Sequence, residues 1–264
     1  MNTFTHNKTI FWALLARDMR GVIKTRLRSL VIDGLILVVV AVLVFGNLLP
    51  MMGMPKNLIA PVFLGNSLSF FLASLGYNWA MRMAYDLRFD RFIDYFLTLP
   101  LPKSWLFAYY VVSFIIEVTI VTLPMVTLGI IALGDNFGPI NGNFPTFLCM
   151  YFLALLFWGL FFLGSAFVYD YQWFRNNMWA RRIMPFFATA PAFFTFQTIA
   201  TIAPTSSKLM LLNPITYIIE GLRASLLGGS EYLSLTICLI GSFIAIVLLC
   251  VRLRYGIYKQ LDPV

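Results

Sequence analysis

Six apolar runs, each bounded by short polar stretches, set the pattern of the chain. They cover about residues 30–49, 58–81, 105–133, 146–169, 183–203 and 231–251. Each is close to the ~20 residues that a helix needs to cross a hydrocarbon core about 30 Å thick. The runs are continuous rather than alternating, which is the helical pattern and not that of a β-barrel. The expected fold is therefore an all-α polytopic membrane protein with six transmembrane helices, since in lipid a helix satisfies its own backbone groups. Within the fifth run, Pro185 and Pro191 interrupt the helical pattern.

The polar stretches carry patterns of their own. In residues 1–29, Lys8, Arg17, Arg20, Lys24, Arg26 and Arg28 interleave with Phe11, Trp12, Leu14, Leu15, Met19, Val22, Ile23 and Leu27 at helical intervals. This predicts an amphipathic helix on the cytoplasmic membrane surface; a basic flank that only sets topology is the alternative. The segment opens polar, so the first span is expected to act as the insertion signal. Residues 82–104 alternate Arg82, Asp86, Arg88, Asp90, Arg91, Asp94 and Lys103 with Leu87, Phe89, Phe92, Ile93, Phe96 and Leu97. They predict a short cytoplasmic helix ended by Pro100 and Pro102, or else a solvated loop with interfacial aromatics.

Charge fixes the expected orientation. The four segments 1–29, 82–104, 170–182 and 252–264 hold 16 of the 19 Lys and Arg residues. Only Lys56, Lys208 and Arg223 fall on the other side, so the positive-inside rule puts both termini in the cytoplasm. The net charge of +8 is thus accounted for by topology. No soluble basic face exists to hold nucleic acid, and no nucleic-acid partner is expected. Sixty per cent of residues are hydrophobic and 11% charged, against about 25% charged in a soluble domain.

One stretch does not fit the spanning pattern. Asn213-Pro214-Ile215-Thr216-Tyr217 through Glu220, Arg223, Leu226, Leu227, Gly228 and Gly229 reads as a short helix. Asn213 suits the N-cap, Pro214 the first helical position, and the glycines the stop. At about 20 Å it is too short to cross a bilayer, and a crossing here would invert the last span. It is expected to dip in from the external face, with Glu220 and Arg223 placed to pair at i and i+3. An interfacial helix that plugs the bundle is the other reading.

Asn-Pro-x-x-Tyr followed by Glu, by Arg three residues later and by Leu-Leu-Gly, just before the last span, resembles the C-terminal signature of ABC-2-type transporter permeases. The order of elements is also similar over nearly the whole chain. The resemblance implies an exporter membrane domain, the permease subunit of an ATP-binding cassette exporter. It would work as a homodimer with two ATPase subunits in a bacterial plasma (inner) membrane and move a drug, lipid or lipid-linked glycan outward. It makes residues 88–100 the coupling helix, with Arg88, Asp90, Arg91, Asp94 and Pro100 as candidates for contact with the ATPase. Where the family often shows a Gly-Thr-Leu-Glu-like run, this chain has Arg91-Phe92-Ile93-Asp94. The resemblance also makes Asn213, Pro214, Tyr217, Glu220 and Arg223 an external gate. It places the second and fifth helices beside the pathway, where Asn66, Asn78, Phe193, Phe194 and Gln197 are candidates for cargo contact. Aromatics that merely fill packing gaps are the competing reading.

Independent of the resemblance, the chain contains no Gly-x-x-x-x-Gly-Lys-Ser/Thr loop. No cofactor is expected in this chain, and ATP with Mg would belong to a partner subunit. Glu117 lies deep in the third run, where an ionisable group is costly; cargo contact, a proton site and a structural hydrogen bond all remain open. A proton site there would suit an ATP-independent channel or proton-coupled transporter. Enzymatic chemistry lacks components: His6 is the sole histidine, and Cys149, Cys238 and Cys250 sit in apolar runs without metal-ligand spacing.

Overall fold

A computed structural model of the chain describes residues 3–90, 95, 98 and 101–261. All regular structure among them is helical. Five helices are long and apolar enough to cross a membrane. The first, α1 (3–51), runs on through π-helical turns at Val22–Arg26 and Val42–Leu48. The amphipathic stretch and the first apolar run are therefore one rod, because no proline or turn residue separates them. Next come α2 (Lys56–Asp90), α3 (Lys103–Leu133) and α4 (Phe144–Val168). The last is α9 (Leu235–Leu261).

Side-chain contacts give the directions. Helices α1 and α3 run parallel: Phe11 meets Trp105 edge-on at 5.7 Å, Gly34 faces Val121 and Gly46 faces Leu133. Helix α3 runs against α2, with Trp79 on Phe114 at 5.3 Å and Gly129 on Phe63. It also runs against α4, where Phe114 covers Gly159 and Thr122 hydrogen-bonds Tyr151. Helices α4 and α9 are parallel again, with Gly164 against Leu253 and Gly256 against Val168. One end of the bundle therefore gathers Arg82, Arg88, Arg182, Arg252 and Arg254, the basic end anticipated from the charge pattern. Helix α4 is the centre: apolar all round, it is buried by α2, α3, α9 and the helix that precedes α9.

The expected fifth span, 183–203, is not one helix. Helix α5 (171–188) starts earlier, capped by Asp170, whose carboxylate accepts the Gln172 N–H at 3.1 Å. It climbs beside α2, from Tyr171 on Phe89 to Phe187 on Phe70, and stops halfway up α4 with Phe187 stacked on Trp158. Pro191 ends it: proline gives no N–H, and its ring clashes with the carbonyl four residues back. Residues 189–195 are irregular, followed by α6 (Phe196–Ile202), α7 (Pro204–Met210) and α8 (Pro214–Leu227).

Helix α8 resumes the climb at the level where α5 stops. Asn213 donates from Nδ2 to the Phe186 carbonyl at 2.6 Å and to Thr189 Oγ1 at 2.9 Å. At the far end, the Ser225 and Leu226 carbonyls accept the Asn143 and Gly142 N–H groups at 2.9 and 3.0 Å, beside the start of α4. Two half-length helices thus cover the height between the end of α4 and the start of α9. Arg223, counted above with the external charges, is buried inside the bundle.

Candidate functional site: a buried ion pair and a cleft at the basic end

Helix α8 is built as its sequence indicates. The Asn213 side chain accepts the Ile215 N–H at 3.0 Å, Pro214 holds the first position, and Gly228 stops the helix at φ 68°. That left-handed value suits glycine. Tyr217 lies over Gly241 of α9 and donates its hydroxyl to the Leu211 carbonyl at 2.7 Å.

Glu220 and Arg223, one turn apart, are both fully buried. Their ion pair, Arg223 Nη1 to Glu220 Oε1, measures 2.7 Å. The guanidinium also donates to four backbone carbonyls. Nε reaches Pro61 at 2.7 Å, Nη1 reaches Pro191 at 2.6 Å and Phe194 at 3.0 Å, and Nη2 reaches Ala192 at 2.8 Å. Three of these carbonyls belong to the irregular segment, whose backbone has lost its helical partners. An unpaired buried carbonyl is costly, and more so away from water. Glu220 works the other side: Oε1 accepts the Phe196 N–H at 3.2 Å and Oε2 the Leu233 N–H at 3.1 Å. The pair therefore ties α8 to α2, to the break after α5, to the start of α6 and to the approach to α9. Gly65 makes room for it, since a Cβ there would lie 2.0 Å from Arg223 Nη2.

A second polar region lies at the basic end. A cleft of about 1210 Å³ opens between α1, α2 and α3, and a narrower one of about 430 Å³ continues between α1 and α2. Glu117 lies on its wall, and Arg82 Nη2 donates to Glu117 Oε1 at 2.6 Å. Nearby, Tyr109 of α3 hydrogen-bonds Asp18 of α1, and Asp18 pairs with Arg17 at 3.0 Å. Thus the deep carboxylate of α3 has a cation from α2, a partner 35 positions away in sequence.

The sequence-selected residues fall into separate places. Asn213, Pro214, Tyr217, Glu220 and Arg223 share α8 and its cap, as expected. Phe193, Phe194 and Gln197 lie together on the irregular segment and the start of α6, all exposed, the two rings by 55% and 54%. Glu117 and Asn78 instead line the basic-end clefts, and Asn66 sits half-buried in the π-helical turn Phe63–Leu68 of α2. These six do not converge on one path. Of the coupling candidates, Arg88 Nε lies 3.8 Å from Asp170 Oδ1, and Asp90 lines the wider cleft. Arg91, Asp94 and Pro100 lie outside the described residues.

Sequence reasoning missed Gly65, Thr189, Arg82 and Asp18. Arg82 carried a signal, being a charged residue at the edge of an apolar run, and Asp18 another, as the one acidic residue in the basic stretch 1–29. Gly65 and Thr189 carried none. Among the described residues, no group of three or more His, Cys, Asp or Glu side chains is placed to hold a metal. No protein-family model matches the chain, and no curated protein matches it closely enough to count as a relative.

Proposed function

We propose that the chain is the membrane-spanning permease subunit of an ATP-binding cassette exporter. It moves a hydrophobic or amphiphilic compound out of the cytoplasm or inner leaflet, driven by ATP that separate subunits hydrolyse. The observation that carries this reading is the interrupted climb from α5 to α8. Irregular backbone at membrane depth is tolerated where protein buries it or where it lines a cavity, and broken helices mark substrate sites in transporters. Here Asn213, Glu220 and Arg223, the residues that carry the resemblance to ABC-2-type permeases, are the ones that hold the break together.

In this reading both termini and the basic end face the cytoplasm, and α8 stands on the outer half of the fifth crossing as the exit gate. The end of α2, with Arg88 and Asp90, receives the ATPase. Two copies of the chain assemble with two ATPases. The proton-coupled alternative would use Glu117, whose carboxylate is paired with Arg82.

The test is co-purification with a candidate ATPase and reconstitution in vesicles. ATP turnover should depend on the membrane subunit and fall with substitutions at Arg88 and Asp90 that leave assembly intact. A complex that is not dimeric in the membrane subunit, with turnover indifferent to changes throughout 88–100, would sink the proposal.

A further inference from the structure

The basic end concentrates arginine and lysine, yet the clefts within it carry the opposite balance. Among the described residues, five carboxylates line them: Asp18, Asp33, Asp86, Asp90 and Glu117. Among the same described residues, three arginines stand against these, Arg17, Arg26 and Arg82. Arg82 is engaged by Glu117 and Arg17 by Asp18. The lining as a whole, five carboxylates to three arginines, favours a positive guest in a protein whose net charge is +8.

The walls add a second preference. Trp79, Tyr85, Tyr109, Tyr110 and Tyr171 border the wider cleft, and aromatic faces attract organic cations through their quadrupole. The wider cleft alone exceeds the roughly 300–1,000 Å³ of most small-molecule pockets, so there is room for a bulky guest. The narrow branch also reaches sideways. Helix α1 packs along α3 and leaves a gap towards α2, from Thr25 and Asp33 across to Leu75 and Asn78. Beside this gap α1 exposes Val31, Ile32, Leu35 and Ile36, the kind of surface that lies against lipid tails.

We propose that the cleft between α1, α2 and α3 binds an amphiphilic organic cation, which enters sideways from the inner half of the bilayer. Its charged group lies among the carboxylates and its apolar body against Trp79 and the tyrosines. This rests on the transporter reading only for what the binding is used for. The binding itself belongs to this chain alone.

Equilibrium dialysis of the purified full chain in nanodiscs tests it, with no ATPase present. The probe is tetraphenylphosphonium, and tetraphenylborate serves as a control of nearly the same shape and opposite charge. Saturable binding of the cation, at least about tenfold tighter than the anion, is expected. Asp33 and Asp90 are exposed, so the double variant Asp33→Asn, Asp90→Asn should fold with an unchanged melting temperature and bind the cation about tenfold more weakly. No saturable cation binding, equal binding of the two probes, or wild-type affinity in the double variant would overturn the proposal. Any of these would leave the ATP-coupled reading standing, because that is measured by turnover with the partner.

Discussion

Arg223 and Glu220 form a sealed ion pair whose remaining hydrogen-bonding capacity is spent on backbone atoms of other elements. Taking two charges out of water costs several kcal/mol each, which only near-complete pairing offsets. Losing one partner leaves the other buried and unmatched. Arg223→Ala and Glu220→Ala should each destabilise the protein by about 3–5 kcal/mol. Arg223→Lys should rescue little, since an ammonium cannot reproduce the planar fork that reaches four carbonyls. Thermal unfolding of the purified variants in one detergent checks this. A variant within about 1 kcal/mol of wild type, well under the cost of an unmatched buried charge, would contradict it.

Gly65→Ala tests the same knot from α2. The added methyl would overlap Arg223 Nη2 and the Ala192 carbonyl, and overpacking of this kind costs about 1–3 kcal/mol. Combined with Arg223→Ala the two losses should not add, because the first removes what the second needs; a double-mutant cycle measures that coupling.

Asn213 has separable duties. Asn213→Ala should cost about 0.5–2 kcal/mol through the lost cap alone. Asn213→Asp keeps the acceptor for the Ile215 N–H but loses the donors to Phe186 and Thr189. Hydrogen exchange should then show the cap of α8 retained while protection at the end of α5 falls.

For Arg82 and Glu117, single substitutions to Ala should each be more damaging than the paired replacement Arg82→Met, Glu117→Leu. An apolar pair of similar volume is often neutral or stabilising where an ion pair was partly buried. Unfolding midpoints of the three variants decide it, and a paired replacement as damaging as the two single ones added together would count against it.

Orientation can be read by thiol labelling. With Cys149, Cys238 and Cys250 replaced by Ser, a cysteine at Lys56 should react with a membrane-impermeant maleimide from outside intact cells. One at Arg254 should react only after permeabilisation. The reverse result would invert the topology.

The long helices were legible because their burial is a matter of continuous apolar length. So was α8, whose cap, proline and terminal glycines are local signals confined to one stretch of chain. The fifth run was misread as one helix: its composition is apolar throughout, and Pro191 marks an interruption without saying where the chain resumes. That depends on Asn213 meeting Phe186, a contact between distant segments. The acceptors of Arg223 were unreadable for a different reason. They are carbonyls, which every residue has, and only the fold decides which four come within reach.

This choice of acceptors bears on how the protein can change over generations. Because Arg223 grips Pro191, Ala192 and Phe194 by their main chain, the side chains along this stretch are largely released from the task of holding it. The exposed rings of Phe193 and Phe194 can be exchanged for other shapes while the frame beneath them stays put. That surface can thus be retuned at little risk to folding, so long as Gly65, Glu220 and Arg223 are left alone.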